Sequence, residues 1–217
     1  MFTGIVQCVG RVATLERRGA GARLQVGGAE GVLRGLKRGD SIAVNGCCLT
    51  IVAKRSGMFS AELSRETLAR TALGELARGQ HVNLEPPLRA GDSLSGHLMQ
   101  GHVEATGRFT SLAPAGSGRE AGWRLRLELP AGVLAYVVPQ GSLAVDGISL
   151  TVAALDSRGA EFAIIPFTYA RTNLSRLQPG AAVNLETDPL ARHAARYLET
   201  LLRPVRSRTS TGRPRTK

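Results

Sequence analysis

The 217-residue chain has few aromatic side chains, few cysteines, hardly any lysine and no long apolar run. Phe, Trp and Tyr make up 4% of it, so its cores must be built from Val, Leu, Ile and Ala. That scarcity also argues against a barrel that binds nucleic acid, which needs aromatic stacking platforms along a basic groove. No segment approaches the roughly 18 consecutive apolar residues of a membrane span. The opening MFTGIVQCVG has no basic region ahead of an apolar stretch, so no secretory signal is read and a cytoplasmic protein is expected. Cys8, Cys47 and Cys48 fit no metal-ligand spacing. Neighbours on a strand point to opposite faces, so Cys47 and Cys48 are expected as reduced thiols, not as a pair.

Positive charge is plentiful, at a net +11, but it is unevenly placed. Arg203, Arg206, Arg208, Arg213, Arg215 and Lys217 crowd the last stretch, with no acidic residue among them. Residues 203–217 therefore read as a basic, solvated, disordered tail and not as evidence of a polyanion partner.

The chain repeats itself. At an offset of 101 residues, SIAVNGCCLTIV (41–52) matches SLAVDGISLTVA (142–153), ETLARTAL (66–73) matches FTYARTNL (167–174), and GQHVNLE (79–85) matches GAAVNLE (180–186). Upstream the offset becomes 97, pairing FTGIVQ (2–7) with MQGHVE (99–104), and the extra residues fall in a Gly/Pro/Ser-rich stretch around Ala113–Gly122 that reads as a loop. An internal duplication follows, with domains at 1–97 and 98–189. Residues 190–202 read as an amphipathic helix, with Leu190, Ala194, Ala195, Leu198, Leu201 and Leu202 near one face. Within each repeat, GIVQCVGRVATLE, ARLQVGG, SIAVNGCCLTIVAK and HVNLEPP alternate like strands, and one short helix follows Ser64. Short strands with one helix in under a hundred residues suggest an all-β fold of two tandem Greek-key barrels, with a C-terminal helix added.

The halves differ where chemistry would show. Alternation along 44–50 places Val44, Gly46, Cys48 and Thr50 on one side, and Val145, Gly147, Ser149 and Thr151 in the copy. Ile5 becomes His102, Cys48 becomes Ser149 and Pro87 becomes Asp188. One copy holds the thiol, the other an imidazole and an extra carboxylate, as two similar pockets with unequal roles would. The bland alternative makes Cys48 a small buried hydrophobe and His102 a satisfied barrel-mouth histidine.

MFTGIVQ, NGCCLTIV, GHLMQGHVEATG, VDGISLTV and VNLETDPLAR together closely resemble the alpha-type riboflavin synthases, from Met1 to about Leu202. The resemblance implies two six-stranded barrels, each binding one 6,7-dimethyl-8-ribityllumazine, in a homotrimer held by the C-terminal helix, with sites between subunits. It implies a cofactor-free transferase that dismutates two lumazines into riboflavin and 5-amino-6-(D-ribitylamino)uracil, with lumazine synthase as a candidate partner. Carried over by position, a first pocket would use Gly4, Ile5, Val6, Cys48, Leu49, Thr50, Glu62, Leu63, Ser64, Arg65, Glu66 and Thr67. A second would use Gly101, His102, Val103, Gln140, Ser149, Leu150, Thr151, Ile165, Pro166, Phe167, Thr168, Tyr169 and Ala170. The residues implied for chemistry are Phe2, Ser41, Cys48, His97, His102, Ser149, Thr151 and Asp188. Gln140 stands where the family usually has Lys, and Phe167 where it commonly has His or Glu. Non-catalytic lumazine-binding relatives tend to lose Cys48 and one pocket. Cys48, His97, His102, Ser149 and Asp188 are all present here, which favours the enzyme.

Overall fold

A computed structural model describes residues 1–118 and 121–202, so the basic tail read at 203–217 lies outside the described residues. Strands β1 (Cys8–Arg18), β2 (Gly21–Gly27), β3 (Ser41–Val44), β4 (Cys47–Arg55), β5 (Met58–Leu63) and β6 (His81–Glu85) close into a barrel in the order β1-β2-β5-β4-β3-β6. Strands β7 (Ala105–Ala115), β8 (Gly122–Glu128), β9 (Ser142–Val145), β10 (Ile148–Leu155), β11 (Gly159–Ile164) and β12 (Ala182–Thr187) repeat that order in a second barrel, so neither sheet leaves a free edge. Alternation drives each core: Ala22, Leu24 and Val26 of β2, or Leu125 and Leu127 of β8, point inward while their neighbours do not.

Two parts of the sequence reading change. The run 41–54 is not one strand. Asn45 and Gly46 both adopt positive φ (45° and 76°), the geometry of a two-residue hairpin turn, and Asp146 and Gly147 repeat it (46° and 75°). The turn resets the alternation, so Val44 is buried inside the barrel with Cys47 and Leu49, while Cys48 and Thr50 face outward. The β5 segment, not singled out in the sequence, supplies the sixth strand. The stretch around Ala113–Gly122, read as a loop, largely lengthens the β7–β8 hairpin, where Ala113 pairs Arg124 and Ala115 pairs Gly122.

Short helices α1 (Glu30–Leu33), α2 (Arg65–Arg70), α3 (Ala131–Leu134) and α4 (Pro166–Arg171) connect the strands, and α5 (Pro189–Leu202) follows β12 with most of its length exposed. The barrels meet around a pseudo-twofold axis at the two hairpin turns. A Cβ on Gly46 would lie 2.7 Å from the Gly147 nitrogen, so only glycine permits the approach. Buried amides knit the seam. Across it the Asn83 side-chain amide donates to the Asp146 carbonyl (2.9 Å) and the Asn184 side-chain amide to the Asn45 carbonyl (2.8 Å). No helix among the described residues is long and apolar enough to cross a membrane.

Candidate active site

Cys48 and Ser149 occupy matching positions on β4 and β10, both turned away from the barrel cores. Beside each lies an extended segment contributed from elsewhere in the chain, and the two segments are exchanged relative to the sequence reading. The Ser149 N–H of the second barrel donates to the Gly4 carbonyl (2.9 Å), and the Cys48 N–H of the first donates to the Gly101 carbonyl (2.9 Å). Val6 accordingly packs on the second core and Val103 on the first. Gly4–Ile5–Val6 thus belongs with Ser149, Leu150 and Thr151, and Gly101–His102–Val103 with Cys48, Leu49 and Thr50. The physical reason is a crossing. Phe2 and Met99 form an antiparallel bridge between the barrels, and the chain on either side departs toward the opposite one. Both glycines take φ +78°, and a Cβ on either would meet the Cβ of Ser149 or Cys48 at 2.6 Å.

Phe2, implied for chemistry, sits between the two half-sites. Its ring is fully buried in a small core with Ala43, Met99 and Ala144, against which Cys48 also rests. Ser41 pairs across the ladder with Thr50, and Ser142 repeats this opposite Thr151, a hydroxyl that the 101-residue offset could have pointed out.

The half-site at Ser149 is the better defined. His97 Nδ1 lies 2.6 Å from Ser149 Oγ, and the His97 N–H donates to the Thr3 carbonyl (3.1 Å). The ring is buried, and its Nε2 has no protein partner among the described residues. Burial lowers the His97 pKa below its ordinary value, against a smaller upward pull from the Asp188 carboxylate. Asp188 also caps α5, its Oδ1 accepting from the Leu190 N–H (2.9 Å). Gln140 sits on the exposed approach to β9 in a left-handed conformation (φ 62°), where the first barrel has Gly39. Ile165, Pro166, Phe167 and Ala170 are exposed, and Thr168 half-buried. α4 is fixed by Tyr169, whose ring stacks on Trp123 at 3.8 Å and 3°. Arg171 lies over the Phe167 ring at 5.5 Å.

At the other half-site, Cys48 is half-exposed while burial pushes its neighbour Cys47 up to about 12, leaving Cys47 a protonated core thiol. All three cysteines are free, as read. His102 is exposed and lines an open pocket of about 510 Å³ with Gln100, Tyr136 and the α5 residues Arg192, His193 and Arg196. Ser64 caps α2 through the Thr67 N–H (3.0 Å), with Arg65 and Glu66 exposed beside it; Glu62 pairs with Arg23 (3.6 Å), and Leu63 turns into the core. No group of His, Cys, Asp or Glu among the described residues is placed to hold a metal ion.

Missed in the sequence were Glu85 and Glu186, the last residues of the two identical VNLE blocks. Each lies buried beneath one crossing segment. Glu85 accepts from Thr3 N–H (2.6 Å), Thr3 Oγ1 (2.8 Å) and Gly4 N–H (3.0 Å). Glu186 accepts from Gln100 N–H (2.7 Å) and Gly101 N–H (3.0 Å).

Comparison with known proteins agrees with this double arrangement. The lumazine binding domain family matches twice, over residues 3–86 and 100–188. Riboflavin synthase of Mycobacterium tuberculosis is 44% identical over 208 residues, covering 94% of this chain and 98% of the relative. That of Actinobacillus pleuropneumoniae is 37% identical, covering 91% and 90%, and that of Escherichia coli 33%, covering 93% of each. Crystal structures of LumP complexed with riboflavin, and with 6,7-dimethyl-8-(1'-D-ribityl) lumazine, share the fold with TM-scores of 0.78 and 0.75 at 22% and 21% identity, each covering 86% of this chain and 99% of LumP. With two such domains and relatives at this identity along almost its whole length, the chain belongs to the riboflavin synthase family.

Proposed function

We propose that the chain transfers a four-carbon unit from one 6,7-dimethyl-8-ribityllumazine to another, giving riboflavin and 5-amino-6-(D-ribitylamino)uracil, the last step of riboflavin biosynthesis. The supporting observation is the pair of half-sites: one backbone geometry, repeated at Gly4–Ser149 and Gly101–Cys48, carrying different side chains. The reaction asks for that, since two identical molecules must act unequally, as donor and acceptor. The donor loses and the acceptor gains the same atoms, so no oxidant or reductant enters the balance. The 7-methyl carbanion delocalises into the pteridine ring, and the protein's main task is to hold two rings in register, which supplies about 7–11 kcal/mol in favourable cases.

In this reading the Ser149 half-site activates one lumazine. Neutral His97 takes the Ser149 hydroxyl proton as that oxygen, or a water it holds, adds at C7. The Cys48 half-site orients the second ring, with His102 as proton carrier. A cytoplasmic homotrimer, seated on the α5 faces, brings the first barrel of one subunit against the second barrel of its neighbour, and lumazine synthase is the candidate supplier of substrate. The direct test is incubation of chelator-treated protein with the lumazine. Riboflavin and the pyrimidine should form one to one, with two lumazines consumed. No riboflavin, or turnover regained only with an added metal ion, would sink the reading.

A further inference from the structure

Glu85 and Glu186 end matching VNLE blocks on β6 and β12, and each is about 95% buried. A carboxylate is almost never buried so deeply without compensation. Neither is in an ion pair among the described residues. Each instead uses its two oxygens on two successive backbone N–H groups: Glu85 on Thr3 and Gly4, Glu186 on Gln100 and Gly101. Those peptides do not serve the barrel that clamps them. Gly4 turns its carbonyl to Ser149, and Thr3 turns its own to the His97 N–H, both at the second half-site; Gly101 turns its carbonyl to Cys48 of the first.

We propose that Glu85 and Glu186 are crosswise positioning residues, each carboxylate in one barrel setting the backbone of the half-site on the other. Glu85 orients the Ser149–His97 half-site and Glu186 the Cys48–His102 half-site. The assignment rests on the two-half-site reading above. Two splayed carboxylate oxygens define the plane of the Thr3–Gly4 or Gln100–Gly101 peptide, and that plane aims the next carbonyl. An amide in the same place offers one acceptor and turns an N–H₂ group toward the second donor, so Glu→Gln keeps shape while undoing the clamp.

The test uses the full chain and the variants Glu85→Gln and Glu186→Gln, with Glu85→Asp and Glu186→Asp retaining both oxygens on a shorter arm should the amides fail to fold. Hydrogen–deuterium exchange is read over residues 47–50 and 148–151, and lumazine binding by fluorescence titration. For Glu186→Gln, exchange at Cys48 should rise about tenfold while Ser149 stays as in the wild type, and one of two lumazine sites per chain should weaken by a similar factor. Glu85→Gln should do the reverse, loosening Ser149 and sparing Cys48. Loosening confined to the variant's own barrel, equal loosening of both half-sites, or none, would overturn the proposal. If the wild type binds no lumazine, the half-site reading fails, while the exchange pattern still decides whether the clamps act crosswise.

Discussion

Cys47 and Cys48 are adjacent yet live in opposite environments, one in the barrel core and the other outside it against Phe2 and Met99. That contrast separates a packing thiol from an available one. If Cys48 and His102 act on substrate, Cys48→Ser and His102→Gln should each lower kcat by about 10²-fold with the melting temperature nearly unchanged, since volume is conserved. A lowered melting temperature with turnover intact would favour packing. His97 makes a second residue-scale prediction. Its pKa is depressed by burial and partly restored by Asp188, so the neutral form persists to lower pH than in an ordinary histidine. Asp188→Asn keeps an acceptor for the Leu190 N–H but removes the charge. The acidic limb of the kcat/KM profile should therefore move to lower pH, and a shift upward would contradict the electrostatic link.

Among the described elements, α5 leaves most of its apolar side chains uncovered. Leu190, Tyr197, Leu198, Leu201 and Leu202 are all exposed, and only Pro189 of the helix is buried. Removing residues 190–217 should yield a smaller particle in light scattering with little activity, whereas removing 204–217 should change neither. An active full-length monomer would contradict the proposed trimer seated on α5. The helix was visible in the sequence because its 3.6-residue stripe is long, and the repeat was visible because whole blocks kept one offset. The hairpin turn was equally written there, as Asn45-Gly46 and Asp146-Gly147, but a continuous β-rich run hid it and inverted the side assigned to Val44. The crossing of Gly4–Val6 and Gly101–Val103 was not visible. Each segment lies next in sequence to the barrel it leaves, and the Ser149 and Cys48 N–H bonds to the Gly4 and Gly101 carbonyls show where each one goes.

At the scale of the whole molecule, the pseudo-twofold seam breaks its own symmetry. By the 101-residue offset Asn45 and Ala72 hold the places where, in the second half, Asp146 accepts from the Asn173 side chain (2.8 Å). Full burial pushes Asp146 from 3.8 to about 6. A carboxyl raised in the fold stabilises it when protonated. Its contribution is therefore complete below about pH 4 and is lost as pH rises to about 6, a change of roughly 3 kcal/mol. Asp146→Asn with Asn173→Ala rebuilds the first half's chemistry. The stability of the double variant relative to wild type, read by denaturant unfolding at fixed protein concentration, should rise across that window and then level. A flat difference would mean that the seam holds the carboxyl as water does.

The claim on which the rest depends is that two unequal half-sites, on different subunits, act together. Cys48→Ser chains keep the Ser149 half-site, and Ser149→Ala chains keep the Cys48 half-site. Mixed and allowed to exchange subunits, two preparations that each turn over poorly should regain activity, because about a quarter of the junctions in a random symmetric assembly then pair two intact half-sites. If the mixture stays as inactive as its parents once exchange is verified by mass, the half-sites do not meet between chains.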